Sequence, residues 1–246
     1  MSKITFSVVA NKDGCLTKTI RPDGKGGIVK TPAAHMTQGT VMKVEMPFNE
    51  VGAFNRNLSD NQALVHGVCG HDVAHVVSEK RFKNQPETVT RTKKFFHYPE
   101  GAGLMMFDHD PVPGQRSYTP AKLVEVIGGV WPGFKQLPKM VTPSTSNCIY
   151  DLEGNEINGK GGGFHLYIPV NPAKKIPEIG ETLFKRLWAT GHGYIVISKA
   201  GSMLKRTIFD AAVFSPERID FVAGAVCIGC EQRLPEPLYI EPEVTA

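Results

Sequence analysis

Ile4, Phe6 and Val8 alternate with polar neighbours, the two-residue period of a strand with one buried face. Asp23-Gly-Lys-Gly-Gly27 then reads as a flexible bend, and it lacks the Gly-x4-Gly-Lys-Ser/Thr spacing of a phosphate loop. A short helix is predicted over 49–57 and a short strand over 63–68. Leu104 to Phe107 is a continuous apolar run of strand length, entered from glycines and left through Pro111. Thr119-Pro120 is a helix start, and Leu123, Val126, Ile127 and Val130 form an apolar stripe, so a helix is expected over 120–130. Strands are expected at 137–141 and 164–168, joined by the polar turn 143–147 and a hairpin-like insertion from Ile149 to Gly163. The clearest helix is 177–190, with Ile179, Leu183, Phe184, Leu187 and Trp188 on one broad face. Tyr194 to Ile197 reads as a short buried strand, and Ser215-Pro-Glu217 as a helix start before an extended run at 219–222. From Leu234 to Ala246 the chain is rich in Pro and Glu, which predicts a loosely ordered tail.

The chemistry gathers at the ends of these apolar runs. The run at 104–107 passes into Asp108-His109-Asp110, and strand alternation puts the two aspartates on one face and His109 on the other. Two carboxylates so close repel each other, and a divalent cation resolves the conflict; hard oxygen donors suit Mg2+ or Mn2+. A solvated strand end entering a turn at Pro111, Pro113 and Gly114 accounts for the same residues without a metal. His165 follows the run Gly161-Gly-Gly163, where the backbone can approach a ligand closely; a satisfied core histidine is the alternative. Asp210 ends a further apolar segment, Thr207-Ile-Phe. Three carboxylates are what a two-metal phosphoryl-transfer site requires. Cys69, His71 and His75 match no familiar zinc spacing and read as loop or core, and Cys227-x-x-Cys230 is half a zinc or redox site without a second half.

Composition narrows the class without deciding it. The 246 residues are 41% hydrophobic and 21% charged, as in soluble globular proteins, with no apolar run of membrane-spanning length and no signal-peptide pattern. Five cysteines, an odd number, favour a reducing cytoplasm over a disulfide framework. The net charge of +4 is carried by the N-terminal part, with part of the excess clustered at Lys80, Arg81, Lys83, Arg91, Lys93 and Lys94. Phe82, Phe95 and Phe96 lie among these cations, a mixture that suits a nucleic-acid track; a solvated face over core phenylalanines is the alternative.

Leu104-Met-Met-Phe-Asp108-His-Asp110, Gly163-Phe-His165-Leu-Tyr-Ile and Ile208-Phe-Asp210, in that order, resemble the three motifs of the archaeo-eukaryotic primase superfamily. The flanks Pro143-Ser-Thr-Ser146 and Asp210-Ala-Ala-Val-Phe-Ser-Pro-Glu-Arg218 resemble its phage- and plasmid-type primase-polymerase modules. One position departs: the second motif usually has serine two residues before its histidine, and here that residue is Gly163.

The resemblance implies an α+β fold: a mixed, largely antiparallel sheet with flanking helices, containing an RNA-recognition-like unit. It implies an N-terminal α/β half over 1–84, a metal- and nucleotide-binding half over 85–233 and a tail over 234–246. Asp108, Asp110 and Asp210 would bind Mg2+ or Mn2+, and His165 would contact the phosphates of a nucleoside triphosphate. Lys160, Ser144, Ser146 and Arg218 are further candidates for the nucleotide. The implied activity is template-dependent nucleotidyl transfer, priming or extending DNA on a template and primer in the cytoplasm of a bacterial host. Such modules often carry a helicase, so a helicase domain or partner is expected, and no membrane. Two rival readings stay open: a catalytically inactive single-stranded nucleic-acid-binding module, and a metal-dependent nuclease, because three carboxylates alone serve hydrolysis as well as synthesis.

Overall fold

The computed structural model describes residues 3–112, 114, 116–157, 162–198 and 200–243. The alternating segment at the N-terminus is β1 (Lys3–Asn11), with Ile4, Phe6 and Val8 all buried. The glycine bend at 23–27 joins β2 (Lys18–Pro22) to β3 (Ile28–Pro32). β4 (Gln38–Pro47) runs back along β1, and the expected helix over 49–57 is a 3-10 turn at Phe48–Glu50 followed by α1 (Val51–Arg56). β5 (Gln62–Val65), β6 (Val73–Val77) and β7 (Thr88–Val89) lead to β8 (Gly103–His109), the run that ends in the paired aspartates.

α2 (Pro120–Val130) has the expected bounds, because Thr119 Oγ1 accepts from the Lys122 N–H at 3.2 Å and Pro120 starts the first turn. After it come β9 (Lys139–Pro143), β10 (Ile149–Tyr150), β11 (Phe164–Val170) and α3 (Ile176–Ala189). The remaining strands are short: β12 (Tyr194–Ile197), β13 (Met203–Arg206), β14 (Ile219–Asp220), β15 (Val226–Cys227), β16 (Glu231–Gln232) and β17 (Leu238–Ile240).

Ten of these strands form one sheet in the order β17-β9-β11-β8-β1-β4-β6-β7, with β5 joined to β1 and β14 to β5. Only the β1–β8 and β6–β7 pairs within it are parallel, so the protein is α+β with a mixed, largely antiparallel sheet. β1 forks the sheet: Thr5 pairs with Gly103 of β8, whereas Ser7 to Ala10 pair with β5. β14 extends the second arm, pairing Asp220 with Leu64. Leu123, Ile127, Leu183 and Leu187, from the apolar stripes of α2 and α3, join Met105, Phe107, Leu166 and Ile168 of β8 and β11 in the larger core. A second core forms around Val9, Leu16, Val41, Val65, Val76 and Phe96. Among the described residues no helix is long and apolar enough to cross a membrane.

Several local expectations are corrected. β12 is no buried strand; it pairs only with β13, in a hairpin that leaves Ile195, Ile197 and Met203 exposed. An apolar run reports burial only when a second layer covers it, and no such layer covers this face among the described residues. Ser215-Pro-Glu217 starts no helix; the chain turns there and enters β14. The Pro- and Glu-rich tail is docked: β17 pairs with β9 at the sheet edge, and Tyr239 Oη accepts from the Gly52 N–H at 3.0 Å. Two or three apolar side chains suffice for an edge strand, which composition averages hide.

Candidate active site

β8 and β11 run antiparallel with Asp108 directly opposite His165, and Thr142 of β9 lies opposite His165 on its other side. Asp108 is the half-buried second-last residue of an otherwise buried strand, with its side chain 22% exposed. Burial pushes its carboxyl above the usual range, and Asp110, Asp220 and Asp210 push the same way while His165 opposes them. Asp108 Oδ1 lies 3.5 Å from His165 Nε2.

The third aspartate reaches this strand end through packing that the sequence does not advertise. Asp210 follows a bend rather than ending a strand, and its carboxylate caps the 3-10 turn Ala211–Val213 by accepting from the Ala212 N–H at 3.0 Å. Phe209 and Phe214 flank that turn, and their rings meet Phe107 of β8 at centroid separations of 5.3 and 5.9 Å. The Asp210 N–H donates to the Asp108 carbonyl at 2.9 Å. His109, expected on the opposite face, is buried there and donates from Nδ1 to the Ile208 carbonyl at 2.7 Å. Its Nε2 accepts from the Tyr118 N–H at 3.3 Å, which assigns the neutral tautomer with the proton on Nδ1. The residue between two candidate ligands thus holds the loop that carries the third.

Asp108, Asp110 and Asp210 line one cleft of about 190 Å3, together with Val112, Tyr194 and Arg206 to Phe209. Their carboxylates are separately engaged: Asp108 with His165, Asp210 with Arg218 Nη2 at 3.4 Å. Among the described residues no three His, Cys, Asp or Glu side chains converge on a common point. The donor set nevertheless fits a hard divalent cation, since the cleft offers carboxylate oxygens and Asp108 carries an uncompensated cost of ionisation there. Asp210 Oδ2 meets Arg218, and its Oδ1 accepts from the Ala212 N–H.

Gly163 explains its own identity. A β-carbon there would overlap Asp110 Oδ1, stand 2.8 Å from the His109 carbonyl oxygen, and stand 3.2 Å from Ser144 Oγ. The buried Ser144 donates its N–H to the Gly163 carbonyl at 2.9 Å, so a hydroxyl from the 143–147 turn stands beside the place a side chain at 163 would fill. Gly163→Ser is expected to destabilise the fold by about 1–3 kcal/mol, because the backbone at His109 must yield. Urea unfolding measures this, and unchanged stability would mean the strand end is loosely packed.

His165 is buried, and its Nδ1 side faces a carboxylate absent from the sequence-based site. Nδ1 lies 3.0 Å from Tyr167 Oη and 3.2 Å from Asp220 Oδ1. Asp220 Oδ2 accepts from Tyr167 Oη at 2.8 Å and from His66 Nε2 at 3.1 Å. The 3.2 Å contact is a charge contact without hydrogen-bond alignment, since Asp220 Oδ1 has no hydrogen-bond partner among the described residues. Burial disfavours a charged His165, but Asp220 and then Asp108 outweigh it and hold the ring's pKa up to about 9. Burial pushes the Asp220 carboxyl up, and His165 and His66 reverse this, leaving it well below the usual range. The only sequence signal for Asp220 was a lone acid inside the apolar run 219–222, and for His66 a histidine inside another.

Two lysines were also missed. Lys30 Nζ donates to Ser146 Oγ at 3.2 Å, and the Lys18 charge is near enough to oppose protonation of His165. Both come from the β2–β3 hairpin, so a part of the chain far from the motifs brings cations to the site. Lys160 lies outside the described residues.

No family model, curated protein or solved structure matches this chain.

The cations of the cluster at 80–94 do not line this cleft. Lys80, Arg81 and Arg91 line a separate groove of about 510 Å3 with His35, Thr37 and Thr92. Arg91 is spent on backbone, donating to the Glu217 carbonyl at 3.0 Å and the Ala34 carbonyl at 3.4 Å, and burial lowers its pKa. Lys94 lies over the Phe82 and Phe95 rings at 5.8 and 5.3 Å, while Lys83 and Lys93 are exposed. Of the three phenylalanines expected to meet bases, Phe96 is fully buried in the second core, and Phe82 and Phe95 pack on each other at 5.2 Å. Short-range spacing cannot distinguish a ring facing the core from one facing solvent when the backbone is irregular.

Proposed function

We propose that this protein is a template-dependent nucleotidyltransferase of the archaeo-eukaryotic primase type, acting on nucleoside triphosphates and a DNA template and primer. One observation carries the reading. Asp108 and Asp110, His165, and Asp210 come from three segments spread over about a hundred residues, yet His165 faces Asp108 across β8 and β11 while the three aspartates line one cleft. The path β8-α2-β9-β11-α3, with spatial order β9-β11-β8, also supports an RNA-recognition-like unit in which the middle strands carry the chemistry.

In this reading Asp108, Asp110 and Asp210 hold Mg2+ or Mn2+. A divalent cation held there would neutralise charge during phosphoryl transfer, and the three carboxylates are the residues that would hold it. His165 directs Nε2 toward the cleft, and in its protonated form donates a charge-assisted hydrogen bond to a phosphate oxygen. Lys18, Lys30, Ser144 and Ser146 stand on the His165 side as further donors for the triphosphate, and Ser144 supplies the hydroxyl that Gly163 lacks. Arg218 serves first as a counter-charge for Asp210.

Incubation with primed template, labelled nucleotides and Mg2+ or Mn2+ tests the reading. Incorporation supports it; release of nucleotides from the DNA would indicate a nuclease, and binding without turnover an inactive module. The groove at Lys80 and Arg81 is the proposed path of the DNA backbone. Reversing both charges to Glu should reduce the slope of log K against log salt by about 1.4 for single strands and about 1.8 for duplex. A fluorescence titration at several salt concentrations measures it, and an unchanged slope would put the backbone elsewhere.

A further inference from the structure

We propose that Asp220, with Tyr167, is the positioning device for His165: it fixes the ring so that Nδ1 is held from behind and Nε2 is presented to the nucleotide. This rests on the nucleotidyltransferase reading for the identity of the ligand, while the ring geometry stands independently of it.

The arrangement follows from counting hydrogens. Tyr167 has one hydroxyl proton and gives it to Asp220 Oδ2, an acceptor that can only accept when ionised. The Tyr167 oxygen, 3.0 Å from His165 Nδ1, is therefore left to accept from that nitrogen. Asp220 Oδ1, 3.2 Å from the same nitrogen, sets the charge behind it. His66 Nε2 donates to Asp220 Oδ2 and holds the carboxylate in place. Rotating the imidazole by half a turn would set a carbon against Asp220 Oδ1 and the Tyr167 oxygen, and one orientation is thereby selected. All four groups are buried: His66 and Asp220 are 3% exposed, His165 7% and Tyr167 fully enclosed. A carboxylate this deep is costly unless its charge does something, and its Oδ1 points at the ring with no other partner among the described residues.

The fork in the sheet is what makes this possible. Because β1 leaves β8 after Thr5, β5 and β14 fill the second arm, and His66 and Asp220 come to the side of β11 on which His165 and Tyr167 stand. The pair therefore meets His165 on the Nδ1 side of its ring, while Nε2 lies toward Asp108.

A double-mutant cycle tests the assignment. Asp220→Asn should lower kcat/KM for the nucleotide by about 10–100-fold, the usual cost of losing the partner that orients a functional histidine. In a His165→Ala background the same substitution should cost less than about twofold, because its effect passes through the ring. Full effects that multiply in the double mutant would show a merely structural role and overturn the proposal, as would a single variant within twofold of the wild type. Tyr167→Phe keeps the carboxylate and removes the bridging oxygen, so it carries the same cycle if Asp220→Asn does not fold. Long-range 1H–15N spectra of the His165 ring give a readout independent of turnover. At a pH where the ring is neutral, the proton should stay on Nδ1 in the wild type, giving distinct Nδ1 and Nε2 signals, and be shared between the two nitrogens in Asp220→Asn or Tyr167→Phe. A wild type that incorporates no nucleotide defeats the functional reading alone; an unaltered ring spectrum in both variants defeats the positioning role.

Discussion

If the protein transfers nucleotides as proposed, Asp108→Asn is expected to lower incorporation by at least about a thousandfold and at the same time to raise the thermal stability of the metal-free protein. The two effects have opposite signs because one carboxylate serves two ends. Its ionised form is disfavoured first by burial and then by Asp110, Asp220 and Asp210, with only His165 in opposition. A carboxyl whose pKa is raised on folding contributes stability that is complete below its ordinary pKa and lost as pH rises through the folded value. Once the pH has passed the folded value that contribution is lost, and an uncharged asparagine of the same shape keeps it. The stability of the variant should therefore fall less than that of the wild type between acid and neutral pH. Thermal melts across that range, with and without Mn2+, give the measurement, since cation binding raises the wild-type Tm by mass action and the variant's little. Incorporation within tenfold of the wild-type rate, or a lower Tm for the variant at neutral pH, would refute the assignment of Asp108 as a carboxylate held ready for a cation.

His165→Ala costs both turnover and fold. In the proposed reading, loss of one charge-stabilising donor at the triphosphate should lower kcat/KM by about 10²–10³-fold. Removing the ring also leaves Asp220, whose side chain is 2% exposed, with Tyr167 and His66 alone, and breaking one side of a buried ion pair destabilises by about 3–5 kcal/mol. The pH dependence separates this from a simple cavity. The His165 pKa is raised to about 9, so its contribution is complete below about 6.5 and disappears as pH rises through 9. The Asp220 carboxyl is lowered, so its contribution is present above the ordinary value of 3.8 and disappears as pH falls through the folded one. The stability gap between wild type and variant should be largest near pH 5–6.5 and shrink by pH 10. Urea unfolding at pH 6 and pH 10 decides it. An equal gap at both would mean that the ring acts by volume and not by charge.

The elements that carry the site were legible where local rules act alone. Periodicity and a Thr-Pro start located α2, the 3.6-residue stripe located α3, and apolar runs located β8 and β11 within a few residues. The alternation rule separated Asp108 from His109, and the glycine run marked the entry to His165. In each case the signal lies within one segment, since a side chain's direction along a strand or helix follows from backbone geometry.

Which segments meet is a different matter. That β8 neighbours β11 and β1, that β1 forks to admit β5 and β14, and that β17 closes the edge at β9 are pairings over tens to hundreds of residues. Backbone hydrogen bonds that are alike at every position carry no partner's name, so register comes from the packing of whole faces. For this reason Asp220, Tyr167 and His66 read as unremarked residues in three apolar stretches, and Lys18 and Lys30 as part of a remote hairpin. The basic segment 80–94 looked like one track, yet the tertiary structure divides it among a groove, a backbone clamp at Arg91 and the core at Phe96. The sequence by itself determined α2, α3, β8 with the aspartates at its end, and β11 with its histidine, because those follow from the order of polar and apolar side chains. Only the tertiary structure decided that a buried carboxylate stands behind His165 and that Asp210 is drawn to β8 by Phe107, Phe209 and Phe214, because both depend on burial shared between distant segments.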